Sequence, residues 1–216
     1  MRGWLVAAAL AIVLAGCGSA ELTANPNLTP APLAVGWQYK SWSDPGLQMG
    51  LPSDWLASDA TQTSDPGAFA SMAPELQKYM EWSNMMGSTG KTRLSANGKL
   101  ETPLGSLDSG YVSVYVESGD QSLSAFADRV AQLNKGFGAT SVDRTTVVVP
   151  PGPAARLALS GQFDDPSTKY SEVDYLFILP DGRSLTVAIG GTGSAAVSSA
   201  VSDFASRVIA TLSPTH

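Results

Sequence analysis

The sequence has few of the residues on which most catalytic and metal sites depend. Its 216 residues include one Cys and one His, and the His is the last residue, His216. A single Cys excludes an intramolecular disulfide and the zinc-ribbon and CxxC sites, which need paired thiols. Histidine-based triads and HExxH zinc sites need an imidazole held by a packed scaffold, which a terminal His does not provide. We therefore expect no metal site and no cofactor.

Positive charge is also scarce. The chain has 13 Lys and Arg against 19 Asp and Glu, for a net charge of −6, and it contains no basic run. Neutralisation of phosphate by Lys and Arg dominates affinity for nucleic acid, so we expect no nucleic-acid partner. At 44% hydrophobic residues the chain can fill a core, and its length predicts one domain, or one domain plus a tail.

The N-terminus has the pattern of an export signal. Arg2 precedes an apolar run over residues 5–15. This run is too short for a transmembrane helix, which needs about 20 apolar residues, but it has the length of the hydrophobic region of a signal peptide. The run leads into Leu14-Ala15-Gly16-Cys17, in which two small residues precede the single Cys.

This motif resembles the lipobox of bacterial lipoproteins. The resemblance implies cleavage of residues 1–16, a thioether-linked diacylglycerol on Cys17, and two or three acyl chains, palmitate among them, that hold the protein stably on a membrane. The protein would then be exported and anchored to the extracytoplasmic face of the bacterial cell membrane. The alternative is an ordinary secretory peptide followed by an incidental Cys.

The rest of the chain divides into a tether and a domain. Residues 17–36 contain Pro26, Pro30 and Pro32 and lack hydrophobic periodicity, which is typical of a flexible tether. Residues 37–216 form the predicted domain. It begins with a hairpin over residues 37–52 around the turn Asp44-Pro45-Gly46.

Hydrophobic periodicity predicts the remaining elements. Helices are expected over residues 65–86, 122–137 and 194–212, and strands over residues 111–117, 145–149, 155–163, 173–179 and 184–189. Residues 87–109 are polar and predict only short extended pieces. The strand over residues 173–179 is apolar on both faces, so it is expected to lie centrally and covered on both sides. Because the strands follow one another in hairpins, we expect an α+β fold with helices packed on the faces of a mostly antiparallel sheet.

The ends of the predicted domain resemble Mog1/PsbP-like domains of the PsbP/DcrB/LpqN type. One part of the similarity is residues 39–55, where a turn and an apolar strand lead into Pro52 and Trp55. The other part is at the C-terminal end of the domain, where two strands are joined by a turn at Asp181-Gly182 and followed by a helix that contains Phe204. The resemblance implies an α/β/α sandwich around a mostly antiparallel sheet. It also implies a binding or assembly role, because the family shares no catalytic triad.

Two motifs near residue 90 suggest enzymes but lack essential parts. Gly87-Ser88-Thr89-Gly90-Lys91-Thr92 ends like a phosphate-binding loop, but Met85 stands where the first Gly is required, so we expect no nucleotide. Ser88-x-x-Lys91 is followed closely by Ser95-x-Asn97. No Lys-Thr-Gly exists in the chain, so a β-lactamase-type enzyme is not indicated.

Two other clusters have alternative interpretations. Asp164, Asp165, Glu172 and Asp174 favour a solvated acidic turn, with a Ca²⁺ site or a catalytic carboxylate pair as alternatives. Residues 190–194, Gly-Gly-Thr-Gly-Ser, favour a turn before the last helix, with an anion site at the helix N-terminus as the alternative.

Aromatic and Met residues in the first half of the domain suggest a binding surface. The candidates are Trp37, Trp42, Trp55, Tyr79, Trp82 and Met85, with core packing as the alternative. We therefore expect a non-catalytic binding or assembly factor for a protein partner of the cell envelope. Two alternatives remain. A lipid or glycolipid carrier needs an enclosed apolar pocket, and a small hydrolase needs a buried carboxylate pair in a cleft.

Overall fold

The structure is a computed structural model that describes residues 28–58, 74–101, 107–120, 122–162, 169–193 and 197–215. The predicted signal peptide, Cys17, Asp164 and Asp165 lie outside these ranges. The elements are β1 (Trp37–Trp42), β2 (Leu47–Pro52), β3 (Leu56–Ser58), α1 (Pro74–Ser88), β4 (Thr92–Glu101), β5 (Leu107–Glu117), α2 (Leu123–Gly136), β6 (Ser141–Val149), β7 (Gly152–Gln162), β8 (Lys169–Ile178), β9 (Ser184–Gly193), α3 (Val197–Ala210) and β10 (Ser213–Pro214).

The strands form two antiparallel sheets. The larger sheet has the order β3-β4-β5-β9-β8-β7-β6, and the smaller has the order β1-β2-β10. Every pair of hydrogen-bonded neighbours in both sheets is antiparallel. The predicted α+β class with a mostly antiparallel sheet is confirmed, and so is the hairpin over residues 37–52.

Helices cover both faces of the larger sheet. Val112, Val114 and Val116 of β5 belong to the core that also contains the buried side of α3. On the opposite face, Tyr115 packs with Met86 of α1, and Phe126 of α2 packs with residues of β7 and β8. The alternation along β5 follows from the two-residue period of a strand. It produces one core under α3 and another under α1 and α2.

Strand β8 is buried on both faces, as its sequence predicts. Val173, Tyr175 and Phe177 join the core under α3, whereas Leu176 joins the core under α2. The strand pairs with β7 on one side and with β9 on the other. This placement explains why apolar residues occur at both the odd and the even positions of the strand.

The predicted helix at 65–86 is described as α1 from Pro74 to Ser88, and residues 65–73 lie outside the described ranges. Two further regions differ from their predictions. Residues 87–109 contain the ten-residue strand β4, not short extended pieces, and it pairs with β5 from Thr92 to Glu101. Its buried residues Leu94, Ala96 and Leu100 do alternate, but polar neighbours and Gly98 obscure that pattern. Gly190 and Gly191 belong to β9 and pair with β5, so the predicted turn at 190–194 is wrong for this part of the sequence.

The smaller sheet contacts the C-terminal end of α3. The Gly50 N–H on β2 donates to Thr211 Oγ1 at 2.8 Å, and β10 pairs with the start of β2. The described part of the predicted tether, residues 28–36, also lies against this region. The Ala31 N–H donates to the Ala210 carbonyl at 2.8 Å, and the Ser53 N–H donates to the Gly36 carbonyl at 2.8 Å. The limits of the tether and of the domain stay predictions.

Candidate binding groove and buried acidic pair

Trp55 is held between the larger sheet and α3. A Cβ atom on Gly98 would lie 2.3 Å from the Trp55 ring, and one on Gly110 would lie 2.9 Å from it. The indole therefore lies directly on the glycine backbones of β4 and β5. Its other face stacks on Phe204 of α3, with ring centroids 4.8 Å apart and an interplanar angle of 27°. Trp55 is buried, so its role is to form the floor of the surface above it.

Trp37 extends this aromatic cluster towards solvent. Its ring centroid lies 5.6 Å from that of Phe204. The guanidinium carbon of Arg207, one turn further along α3 than Phe204, lies 4.6 Å from the Trp37 ring centroid. A cation over an indole face is favourable because the ring carries a negative quadrupole. The contact keeps the Arg207 side chain beside a half-buried Trp.

These residues line an open groove of about 510 Å³ between the smaller sheet, β4 and α3. Its apolar part includes Trp37, Trp55, Leu100 and Phe204. Four exposed charged residues, Asp54, Lys99, Asp203 and Arg207, also line it. The groove thus combines an aromatic floor with a rim that carries two acidic and two basic side chains.

The predicted binding residues do not form one surface. Trp37 and Trp55 meet in the groove, whereas Trp42 is buried in the core under α3. Trp82 lies on the opposite face of the larger sheet, where it packs against Tyr115 and Phe137 with centroid distances of 5.0 and 5.9 Å.

The two other candidates belong to α1. Met85 is 45% exposed. The side chain of Tyr79 lies outside the described residues.

A second groove, of about 430 Å³, lies beside the C-terminal end of α3. It is lined largely by apolar residues, among them Leu28, Val148, Pro150 and Ile209. Leu28 and Val148 are 38% and 58% exposed. The described part of the predicted tether therefore contributes to an apolar part of the surface.

The sequence identified Glu172 and Asp174 as part of an acidic cluster but did not predict that they are buried. Glu172 and Asp174 on β8 are 5% and 2% exposed, so the predicted solvated turn is wrong for these two residues. Both side chains project to the face covered by α2. Val173, Tyr175 and Phe177, at odd positions of β8, are apolar and belong to the core under α3. The sequence did contain a signal for this burial. The two acids are spaced two residues apart within a strand that is buried on both faces.

Burial dominates the electrostatics of this pair. Desolvation raises the pKa of Glu172, and a hydrogen bond donated by the Tyr111 hydroxyl to Glu172 Oε2 opposes that rise. Desolvation, followed by the neighbouring Glu172, raises the pKa of Asp174 well above its ordinary value. The nearby Tyr115 is also buried, and desolvation raises its pKa to about 12.

The cavity beside the pair is small. Asp174, Glu172, Asn134 and Thr186 contribute to its lining, and its volume is about 20 Å³. That volume accommodates about one water molecule and no organic substrate. Within the described ranges, no group of three or more His, Cys, Asp or Glu residues could hold a metal ion.

The motifs near residue 90 have structural roles in this part of the fold. Ser88 is the last residue of α1, and its hydroxyl donates to the Met85 carbonyl. Lys91 lies just before β4, not before a helix. A phosphate-binding loop requires a helix N-terminus after the Gly-Lys pair. This geometry does not provide one.

Comparison with known proteins gives little further information. No protein-family model matches the chain, and no curated protein matches it. Among solved structures, the chain is similar to LpqN of Mycobacterium tuberculosis, which is described as involved in cell envelope biogenesis. The two share 12% identity, with a TM-score of 0.43, over 83% of this chain and 91% of LpqN. A similarity at this level assigns neither a family nor a function.

Proposed function

We propose that the protein is a lipid-anchored binding protein of the extracytoplasmic face of a bacterial membrane. The Leu14-Ala15-Gly16-Cys17 motif after a short apolar run supports the anchor. No helix among the described residues is long and apolar enough to cross a bilayer. The Mog1/PsbP-like relationship implied by the sequence belongs to this proposal, because a binding or assembly role is common to that family.

The groove at Trp37 carries the functional part of the proposal. Protein interfaces combine an aromatic or apolar centre with a polar rim, and Trp and Arg contribute most often to binding energy. The groove has both features, with Arg207 stacked on Trp37 and charges of both signs around them. We assign the groove to a segment of a partner protein that has an apolar side chain flanked by charged residues.

The lipid or glycolipid carrier is the second candidate. The groove beside Leu28, Val148 and Ile209 favours it, because its lining is more apolar than that of the groove at Trp37 and includes part of the predicted tether. A carrier needs to enclose most of the apolar surface of its ligand. The hydrolase is not favoured, since the buried carboxylate pair opens onto a cavity with room for about one water molecule.

Affinity purification tests the anchor and the groove together. The acylated protein is extracted gently from its own membrane, and co-purifying proteins and lipids are identified by mass spectrometry. We expect Cys17→Ala to abolish membrane association. We expect Trp37→Ala to remain in the membrane and to reduce recovery of a specific protein partner at least tenfold, because the Arg207 stacking partner is lost.

Met85→Ala is the matched control, because Met85 is exposed on α1, which covers the opposite face of the larger sheet. Circular dichroism verifies that each variant is folded. Retention of the same partner by Trp37→Ala would refute the groove as its site. Enrichment of lipid alone, unaffected by Trp37→Ala, would favour the carrier.

A further inference from the structure

Glu172 and Asp174 are neighbours on a buried strand face. They are two residues apart on β8, so their side chains project to the same side of the sheet. Both side chains are buried, and both line the same small cavity. The pair is therefore a single electrostatic unit inside the protein.

The donors that contact this unit carry no charge. The Tyr111 hydroxyl donates to Glu172 Oε2, and Asn134 Nδ2 donates to Asp174 Oδ2 at 3.3 Å. Asp174 Oδ1 is buried and has no hydrogen-bond partner among the described residues. A buried carboxylate oxygen without a donor is costly. The pair therefore lacks one hydrogen-bond donor, at Asp174 Oδ1.

The other titratable groups around the pair do not supply a free positive charge. Tyr115 and Glu117 of β5 and Arg129 of α2 line the cavity, and Tyr170 precedes the pair on β8. Arg129 is bound to two other acids, Glu117 at 3.1 Å and Asp120 at 2.9 Å. From β9 and α1, the residues that line the cavity are uncharged: Thr186, Ala188 and Trp82.

Two adjacent buried carboxylates without a counter-charge cannot both ionise at reasonable cost. We propose that the Glu172–Asp174 pair is a proton-binding site, in which the folded protein holds one proton shared between the two carboxyl groups at neutral pH. The proton comes from solvent as the chain folds. It provides the donor that Asp174 Oδ1 lacks, and the pair keeps one negative charge.

A metal ion fits this site less well than a proton. Calcium takes six to eight oxygen ligands, whereas the described residues contain no cluster of three or more potential acidic, His or Cys ligands. Asn134 also presents its amide nitrogen to Asp174, and an N–H group is not a metal ligand. The site suits the smallest cation available in water.

The proton links folding to pH in a defined direction. In the unfolded chain both carboxyls ionise above about pH 4, whereas the folded pair retains its proton to higher pH because burial raises the pKa of both groups. The folded state therefore binds more protons than the unfolded state in this window. Its folding equilibrium constant should fall by up to tenfold per pH unit as the pH rises.

Urea unfolding between about pH 5 and 8 tests this linkage. We expect the wild-type folding constant to fall with pH, and we expect the double variant Glu172→Gln/Asp174→Asn to lose that fall, because neither amide titrates. Asp143→Asn is the matched control, since Asp143 is exposed on β6, and it should retain the wild-type slope. Equal slopes in the wild type and the double variant would overturn the proposal.

Infrared spectroscopy of the wild-type protein at pH 7 provides a test that does not depend on a folded variant. We expect the carbonyl band of a protonated carboxylic acid, shifted by ¹³C labelling of Asp and Glu and lost on unfolding. Its absence would refute the shared proton. A slope that disappears on addition of Ca²⁺ or Na⁺ would assign the site to a metal ion instead.

Discussion

Asp44 lies at the surface between two arginines, in the opposite situation to the buried Asp174. Arg183 Nη2 lies 2.6 Å from Asp44 Oδ1, and Arg93 Nη2 lies 2.9 Å from Oδ2. The hydrogen bond from Arg183 is the largest of the effects that lower the pKa of Asp44 to about 2. One residue type thus acquires a low pKa beside cations and a high pKa inside the protein.

Substitution of Asp44 tests this ion-pair cluster. Because its pKa is lowered in the folded state, its contribution is complete above the ordinary value of 3.8 and is lost as the pH falls towards 2. The Asp44 side chain is 48% exposed, so solvent screening leaves roughly 1 kcal/mol. We expect Asp44→Asn to lower the free energy of unfolding by that amount at pH 7, as measured by urea denaturation.

The same measurement at about pH 2 provides the control, because wild-type Asp44 is then about half protonated in the folded state and has lost most of its contribution. The difference between the two proteins should shrink there. A difference that is unchanged at low pH would mean that the side chain acts through packing and not through its charge.

Strands β4 and β5 show how glycine in a strand can create a site for a large ring. Gly98 and Gly110 face each other in the register of the hairpin. Their missing side chains leave the depression that Trp55 fills. Trp55 in turn positions Phe204 through ring stacking. The floor of the groove therefore depends on two positions that carry no side chain.

Gly98→Ala should disturb this floor. The added Cβ would lie 2.3 Å from Trp55 Cδ1, so the ring or the strand must shift. Overpacking of this kind costs about 1–3 kcal/mol. Urea denaturation measures the loss, and the change in Trp fluorescence reports displacement of the indole.

Gly136→Ala is the matched substitution, because a Cβ at Gly136 meets nothing within 4 Å. Gly136 ends α2, where Ala is the better helix former by up to about 1 kcal/mol. We expect this variant to be as stable as the wild type or more stable. Equal effects of the two substitutions would contradict the account of Trp55.

At the scale of the whole molecule, the C-terminal end of α3 holds the two sheets together. Thr211 is buried and accepts a hydrogen bond from the Gly50 N–H while its hydroxyl donates to the Val208 carbonyl at 2.6 Å. The smaller sheet forms one side of the groove. Its position relative to α3 therefore depends in part on this hydroxyl.

Thr211→Val should weaken this connection. The substitution keeps the shape of the side chain but leaves the buried Gly50 N–H without its acceptor, at a cost of about 1–3 kcal/mol in the free energy of unfolding. Hydrogen exchange should show faster exchange at Gly50 and its neighbours on β2. Thr211→Ser keeps the hydroxyl and should protect the Gly50 amide; loss of protection in both variants would assign the effect to the methyl group.

Local patterns predicted several elements well. Periodicity located α2, whose N-terminus is capped by Ser122 Oγ accepting from the Ala125 N–H. It also separated the two faces of β5 and identified β8 as a covered strand. These features depend on residues close together in the chain, so the sequence carries them directly.

Other features depend on residues that are distant in sequence. The polar spacing of β4 becomes a core pattern only because Trp55, 43 residues before Gly98, fills the space above that glycine. The local sequence predicts a solvated turn for Glu172 and Asp174, whereas in the fold α2 covers both residues and they are buried. The aromatic residues predicted to form one surface are divided by the larger sheet, with Trp37 on one face and Trp82 on the other.

Short-range patterns were enough to predict the alternation of strand faces, the start of α2 and the antiparallel hairpins. The anchor at Cys17 stays a prediction. The tertiary structure decided which residues share a face of the sheet, and with it the groove at Trp37 and the burial of Glu172 beside Asp174. This division arises because hydrophobic periodicity shows only which side chains of one element point in the same direction. Burial and charge interaction depend on what the rest of the chain places above them.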